Sequence, residues 1–333
     1  MEQETATPLP PGPPPGPPLA GDSFGGLIQR VFFNSEGFRA GWRFLLYAIL
    51  MVLFFLGFKV ALAQVWKSTP GTFSIAGLFL AEVVGFAAAF AAATVMSFIE
   101  HRPVGIYGLP VRGAFGKLFW QGALVGFIEI SLLVALIWAF GGYSFGSLEL
   151  RGIELLRWGA LWALCFVFVG LFEEFLFRGY TLFTLSSGVG FWPASVILSL
   201  LFGAVHYQNK GEGLAGVAGV FVVGMLWCFS VRRTGTLWFA VGMHAAYDFG
   251  ETFLYSVPDS GMLFPGHLSS ASLHGPVWLT GGSVGPEASV FDFLIFFALF
   301  FVIHRLYPES RSPDQNVAVG QRTSSDTNTS FTP

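Results

Sequence analysis

Long apolar segments constrain this chain more than any other feature of its sequence. Segments that approach or exceed the ~20 residues needed to cross a ~30 Å hydrocarbon layer recur between Trp42 and Tyr307. Hydrophobic residues make up 53% of the chain and charged residues only 11%, which is too little polar surface to coat a soluble globule. We therefore predict an integral membrane protein with one membrane domain over residues 41–307.

The apolar segments have the length of helices and not of barrel strands. Lipid cannot satisfy free backbone N–H and C=O groups, so each segment must be helical or belong to a closed barrel. Barrel strands are about half as long and alternate apolar with polar residues, which these segments do not. The predicted fold class is an all-α, polytopic bundle of about eight transmembrane helices, at residues 42–65, 73–98, 117–141, 158–186, 191–208, 213–231, 235–257 and 288–307.

The distribution of Lys and Arg predicts the orientation of the bundle. With these spans, twelve basic residues fall on the side of the two termini, and four fall on the other: Lys67, Arg151, Arg157 and Lys210. Cytoplasmic loops retain positive charge, so both termini are expected in the cytoplasm, and the expected location is the plasma (inner) membrane of a bacterium. The Pro-rich residues 1–40 and the polar residues 308–333 are predicted to be disordered tails.

The charge pattern argues against nucleic acid as a partner. The formal net charge is −3, and the sequence has no long basic run that could neutralise a row of phosphates. The lipid bilayer is the partner that the composition predicts.

The fourth apolar segment contains two adjacent carboxylates and an arginine. A charge that faces lipid costs several kcal/mol, so Glu173, Glu174 and Arg178 must face protein or a water-filled cavity. On a helix Glu174 and Arg178 are i and i+4, about 40° apart, while Glu173 points about 100° away from Glu174. Arg178 can therefore hold Glu174 while Glu173 stays available to accept a proton.

Two histidines and a further carboxylate lie in later segments. His206 ends the fifth segment, and the seventh contains His244 and Asp248. Because His244 and Asp248 are i and i+4, Asp248 can accept a hydrogen bond from the imidazole and fix its tautomer. His206 comes from another helix and can complete a polar pocket.

Taken together, these residues form three motifs in a fixed order: Glu-Glu-x-x-x-Arg, Phe-x-x-x-His and His-x-x-x-Asp. With these three motifs in this order, the sequence resembles the CAAX protease and bacteriocin-processing family of intramembrane peptidases over residues 155–250. The resemblance implies an eight-helix membrane bundle that cleaves peptide bonds near the cytoplasmic face, so a membrane-associated peptide or protein is the expected substrate. The positions that carry over are Glu173, Glu174, Arg178, Phe202, His206, His244 and Asp248.

Two mechanisms stay open for such a peptidase. In the first, Glu173 deprotonates a water molecule with the help of His206, and His244 with Asp248 donates hydrogen bonds to the developing oxyanion. In the second, Glu173, His206 and His244 bind a divalent metal such as zinc, since two His and one Glu are the ligands of many catalytic zinc sites. The cofactor is therefore either a metal or none.

Depth in the membrane is a difficulty for either mechanism. If the fourth helix enters at Trp158, Glu173 lies about 22 Å from its outer end, whereas His206 lies a similar distance from the inner end of the fifth helix. In a ~30 Å layer these side chains are then offset by roughly 10–15 Å. Glu82 and Glu129, within other spans, either line a cavity or form hydrogen bonds between helices.

Other functions stay open beside the peptidase. A proton-coupled transporter also has buried Glu, His and Arg, although the two halves of the chain show no convincing repeat. A non-catalytic membrane scaffold or a bacteriocin-immunity protein can retain the same fold. Relatives of the family that act on prenylated C-a-a-X proteins make a prenylated substrate a further expectation.

Overall fold

The computed structural model describes residues 29, 31–34, 37–67, 73–209 and 213–309. The predicted tails, residues 1–40 and 308–333, lie mostly outside the described residues. The described chain is an α-helical bundle with two short two-stranded sheets. The predicted fold class, a polytopic helical bundle, is confirmed.

The helices follow the apolar segments of the sequence. Their bounds are α1 Ala40–Val65, α2 Ile75–Ile99, α3 Lys117–Ala139, α4 Gly152–Arg178, α5 Tyr180–Val189, α6 Phe191–His206, α7 Leu214–Thr234, α8 Trp238–Asp248, α9 Val277–Thr280 and α10 Val290–Leu306. The strands are β1 Phe33–Asn34, β2 Gly37–Phe38, β3 Tyr143–Ser144 and β4 Ser272–Leu273, with β1 antiparallel to β2 and β3 antiparallel to β4.

Five helical runs in the described part of the chain are long and apolar enough to cross a membrane, and the run of α4 and α5 counts as one of them. The remaining three predicted spans correspond to shorter helices. These are α6 with 16 residues, α10 with 17, and α8 with 11 followed by a six-residue π-helix, Phe249–Leu254. A crossing of the membrane by all eight segments stays a prediction.

The fourth span, predicted at about 158–186, extends further at both ends in the structure. The apolar run extends from Gly152 to Val189, over 38 residues. It is interrupted at Gly179, where α4 ends and α5 begins. The helical run therefore starts one and a half turns earlier than predicted and also reaches further toward the turn that precedes α6.

The longer run also removes the predicted offset in depth between Glu173 and His206. At 1.5 Å per residue, Glu173 lies about 26 Å before Gly190 along α5 and α4, and His206 lies about 24 Å after Gly190 along α6. The prediction was wrong because it measured the depth of Glu173 from the outer end of its helix, whereas both side chains are at nearly equal distances from the turn that their helices share.

Helix α8 lies at the centre of the bundle. All of its residues except Ala246 are buried, so it is surrounded by protein and not by lipid. The loop between α2 and α3 holds its first turn, because the backbone N–H of Leu237 donates to the carbonyl of Gly108 at 2.8 Å and the indole of Trp238 donates to the carbonyl of Pro110 at 3.1 Å. These bonds fix where α8, which contains His244, begins.

Glycines allow α3 to pack directly against the backbone of α8. A Cβ atom added to Gly122 would lie 2.0 Å from the carbonyl oxygen of Phe239, and one added to Gly126 would lie 2.1 Å from that of Met243. A Cβ on Gly242 of α8 would lie 2.1 Å from the carbonyl oxygen of Phe119. The spacing Gly122-x-x-x-Gly126 is that of close helix pairs in membranes, and no side chain fits between these two helices.

A cluster of polar side chains around Glu100 links α1, α2 and α5. Glu100, directly after α2, accepts hydrogen bonds at 3.2 Å from both Arg43 and the hydroxyl of Tyr107, and it also accepts a short one from Tyr180. Burial and the neighbouring carboxylate raise the pKa of Tyr107, which lies in the loop after α2, so this phenol keeps its proton for donation. The cluster holds the start of α5, immediately after the break at Gly179.

Replacing Gly126 by alanine tests the packing of α3 on α8. We expect Gly126→Ala to destabilise the protein by about 1–3 kcal/mol, because the backbone of α8 has to move to admit the methyl group. The matched control is Gly57→Ala on α1, where a Cβ meets nothing within 4 Å and where alanine favours the helix. Thermal unfolding in detergent measures both, and equal melting temperatures would contradict the packing.

Candidate active site

The predicted ion pair between Glu174 and Arg178 is buried completely in the bundle. Arg178 Nη1 lies 3.1 Å from Glu174 Oε1, and both side chains have 0% exposure. The pair spans one turn at the end of α4, as their i, i+4 spacing allows. Such a pair depends on both partners, because either charge alone would be very costly at this depth.

Two aromatic rings and a glycine surround the Arg178 guanidinium. Its central carbon lies 4.3 Å from the centroid of the Phe202 ring and 5.2 Å from that of Trp227, distances at which a cation is attracted to an aromatic face. On the other side, a Cβ atom on Gly224 would lie 2.8 Å from Arg178 Nη2. Phe202 is thus a packing partner of the arginine, and Gly224 of α7 leaves the space that the arginine needs.

Glu173, the neighbouring carboxylate, faces the two histidines. Its Oε2 lies 4.0 Å from His206 Nε2 and 3.8 Å from His244 Nε2. Its side chain is 23% exposed, whereas that of Glu174 is fully buried. The structure therefore brings together side chains from α4, α6 and α8, and it gives the two adjacent glutamates different surroundings.

A backbone hydrogen bond orients His206. Its Nδ1 lies 2.9 Å from the carbonyl oxygen of Phe202, one turn earlier on α6. A carbonyl only accepts, so the neutral imidazole carries its proton on Nδ1 and has a lone pair on Nε2. That lone pair is on the side of Glu173.

His244 contacts carboxylates through both ring nitrogens. Its Nδ1 lies 3.2 Å from Glu174 Oε1, and its Nε2 lies 3.3 Å from Asp248 Oδ2. The Trp227 indole stacks on the imidazole with ring centroids 4.3 Å apart. Glu174 thus accepts from both Arg178 and His244, so the buried ion pair also sets the position of the imidazole.

A cavity of about 230 Å³ connects these side chains with polar groups that the predicted site does not include. Glu173, His206, His244 and Asp248 line one part of it. Five further carboxylates line its wall: Glu82, Glu129, Asp259, Glu287 and Asp292. The cavity is therefore rich in carboxylates, and among the described residues in its wall the side chains that can become cations are His206 and His244.

The sequence contains a signal for some of these additional acids. Glu82 and Glu129 stand within apolar helices, where a carboxylate that faces protein is to be expected, and both line the cavity. Asp292 is buried and accepts a hydrogen bond from Tyr247 at 3.3 Å. Asp259 and Glu287 belong to the polar loop before α10, and only the three-dimensional fold shows that this loop reaches the cavity.

The predicted zinc ligands do not match a tetrahedral site in this arrangement. Zinc bonds of about 2.0–2.2 Å place neighbouring ligand atoms about 3.3–3.6 Å apart. Among the described residues, three potential ligand atoms lie within 4.8 Å of one another in the group Glu251, Asp259 and Glu287, and not in the set Glu173, His206 and His244. The two imidazoles would have to move toward each other to share a zinc ion.

Comparison with protein families identifies the segment that contains the site. Residues 155–250 match the Rce1-like family of type II CAAX prenyl endopeptidases. The predicted resemblance is confirmed over these residues, which include all three motifs. The match supports a CAAX-type intramembrane peptidase in a multi-pass membrane protein. No curated protein and no solved structure matches the chain.

Removing one partner of the buried ion pair tests whether the pair supports the Rce1-like segment. We expect Arg178→Met to destabilise the protein by about 3–5 kcal/mol, because Glu174 is left as an uncompensated charge without access to water. The double variant Glu174→Gln with Arg178→Met removes both charges and should recover part of the loss. Melting temperatures in detergent distinguish the two variants.

The matched control for this pair is Arg157→Met, which removes an exposed ion pair with Glu154 on the same helix. Exposed pairs contribute about 0–1 kcal/mol, so little change is expected. A double variant no more stable than Arg178→Met would contradict the argument from uncompensated charge.

Proposed function

We propose that this protein is an intramembrane endopeptidase of the CAAX type, which hydrolyses peptide bonds of membrane-associated peptides or proteins with Glu173 as the general base. The observation that carries this proposal is the division of roles between two adjacent carboxylates. Arg178 neutralises Glu174, while Glu173 faces His206 and His244 in the cavity.

The distance between Glu173 and His206 suits a water molecule held between two acceptors. A water whose hydrogens both donate at about 2.8 Å separates its acceptors by about 4.4 Å. Glu173 Oε2 and His206 Nε2 lie 4.0 Å apart, and the bond from His206 Nδ1 to a backbone carbonyl leaves Nε2 as an acceptor. A water bound in this way points a lone pair of its oxygen away from both acceptors, toward a substrate carbonyl.

In the proposed reaction this water attacks the scissile carbonyl carbon while its proton moves to Glu173. A tetrahedral oxyanion forms, and His244 donates a hydrogen bond to it from Nε2; the imidazole is the doubly protonated cation in this step, because its Nδ1–H donates to Glu174. The C–N bond then breaks, and the proton on Glu173 passes to the leaving amine, which restores the carboxylate. Every proton is thereby accounted for by the described side chains and one water molecule.

The substrate class follows from the site and the family match together. A substrate held at the membrane is expected, because the proposed catalytic side chains lie within a bundle of apolar helices. The matching family is one of prenyl endopeptidases, so a prenylated C-terminal peptide is the substrate that we propose to test first. The membrane in this proposal is the inner membrane of a bacterium.

Variants of Glu173 and His206 test the proposed base and the histidine that holds the water with it. In liposomes with a quenched-fluorescent prenylated peptide, we expect Glu173→Gln and His206→Ala each to lower kcat/KM by about 10²–10⁴-fold, because the first removes the base and the second removes the acceptor that positions the water. Glu154→Gln is the matched control, since Glu154 is an exposed glutamate in the first turn of the same helix. Wild-type rates in Glu173→Gln, with monodisperse protein in all cases, would disprove the assignment.

The arrangement of the histidines also predicts the response to zinc chelators. Because the three predicted zinc ligands do not converge, we expect cleavage to be unaffected by 1,10-phenanthroline, which binds zinc tightly. The control is 1,7-phenanthroline, an isomer that cannot chelate. Inhibition by the first isomer only, reversed by added Zn²⁺, would instead support the metal-dependent mechanism.

A further inference from the structure

Three acidic side chains converge beside the cavity, outside the motif residues. Glu251 lies in the π-helix that continues α8, Asp259 lies in the loop that follows, and Glu287 lies in a 3₁₀ turn before α10. Each offers a carboxylate oxygen within 4.8 Å of the other two. The π-helix, the loop after it and the 3₁₀ turn thus bring three carboxyl groups together.

Glu251 shows that this cluster is more than a group of solvated acids. Its side chain has 0% exposure, and within the described residues neither carboxylate oxygen has a hydrogen-bond partner. A buried carboxylate without partners is costly, and the cost is removed by a cation or by a proton. The chain has no Lys or Arg between Thr234 and His304, so the segments that form the cluster supply no basic side chain of that kind.

The other two carboxylates are oriented by nearby groups. The Thr252 hydroxyl donates to Asp259 Oδ2 at 2.9 Å, and the backbone N–H of Ser260 donates to Glu287 Oε1 at 2.7 Å. Such outer hydrogen bonds fix carboxylates in position for a metal. Each of these bonds uses one oxygen of its carboxylate, and a carboxylate oxygen that accepts one hydrogen bond can accept a further bond through its other lone pair.

Gly285 keeps the space beside Glu251 open. Its φ is +127°, and an added Cβ would lie 2.2 Å from the carbonyl oxygen of Pro258 and 3.4 Å from Glu251 Oε1. Any side chain here would occupy the space between a backbone carbonyl and the buried carboxylate. The cluster therefore has a neutral backbone oxygen at its edge in addition to its charged ones.

We propose that Glu251, Asp259 and Glu287 form a binding site for Ca²⁺. The ligand set contains only oxygen, which hard cations prefer, and Ca²⁺ takes 6–8 oxygens at 2.3–2.6 Å in irregular geometry. Ca²⁺ accepts flexible geometry, which suits three carboxylates that come from a π-helix, a loop and a 3₁₀ turn, whereas Mg²⁺ demands a near-ideal octahedron and usually keeps several waters.

The site has an entry path and a structural consequence. Asp259 and Glu287 line the same cavity as Glu173, so the ion reaches them from water in that cavity. Once bound, Ca²⁺ links the π-helix to the loop and to the start of α10. Glu251 follows Asp248 by less than one turn, so the ion fixes the end of the helix that contains His244.

Terbium luminescence tests for the ion directly. Tb³⁺ replaces Ca²⁺ at oxygen sites, and its emission can be excited through nearby aromatic residues. With detergent-purified full-length protein we expect saturable emission that Ca²⁺ displaces at lower concentration than Mg²⁺. Glu251→Gln and Asp259→Asn should each weaken Tb³⁺ binding by at least about 10-fold, since each removes a charged ligand. Glu149→Gln, a half-exposed acid in the neighbouring loop that pairs with His267, is the matched control and should bind as wild type does.

Thermal unfolding provides a second readout that does not depend on luminescence. Ca²⁺ should raise the melting temperature of the wild type by roughly 3 °C or more relative to EGTA, and should not change that of Glu251→Gln. In EGTA the Gln variant should be at least as stable as the wild type, because it lacks the buried charge. If Glu251→Gln does not fold, Asp259→Asn and Glu287→Gln, which are partly exposed, serve in its place.

Two outcomes would overturn the site: no saturable Tb³⁺ binding by the wild type, or undiminished binding by the Glu251 and Asp259 variants. Binding is independent of the proposed peptidase activity, because Glu173→Gln should bind Tb³⁺ as the wild type does. The two proposals can therefore fail separately. The same separation applies to chelators, since EGTA removes Ca²⁺ whereas 1,10-phenanthroline addresses zinc.

Discussion

The buried ion pair between Glu174 and Arg178 is the interaction on which the rest of the site depends. It neutralises one of two adjacent carboxylates, so that a helix in an apolar environment can contain both. The same Glu174 oxygen also contacts His244, and the guanidinium stacks against Phe202, one turn before His206. A single charge pair thereby positions elements of three helices, and Glu173 is left to face the cavity.

Close packing between backbones turns these local contacts into a rigid site. Helix α8 is surrounded by other helices, and α3 approaches its backbone through Gly122 and Gly126. Helices in lipid gain little from burying apolar side chains against each other, so shape and close contact have to hold them together. The position of His244 is consequently set by glycines on a helix that contributes no motif residue.

Much of this architecture could be predicted from the sequence because lipid imposes strict rules. The length of the apolar segments predicted the helices, and i, i+4 spacing predicted which charged side chains in α4 and α8 can contact each other. Depth was harder, because it depends on where a helix pair turns, and the apolar composition gave no sign that α5 continues to Val189. Asp259 and Glu287 could not be predicted as part of the cavity wall, since a polar loop has no periodicity that shows which way it folds. The roles of the motif residues in catalysis stay predictions.

The packing around the Arg178 guanidinium matters when related sequences from many genomes are compared. Gly224 belongs to none of the three motifs, yet a Cβ atom there would lie 2.8 Å from Arg178 Nη2 and 3.0 Å from Ser199 Oγ. A descendant with a bulky residue at this position would keep Glu173, His206 and His244 and still lose the geometry that aligns them. A motif search would not detect such a change, so the residue at this glycine position carries information that the three motifs do not.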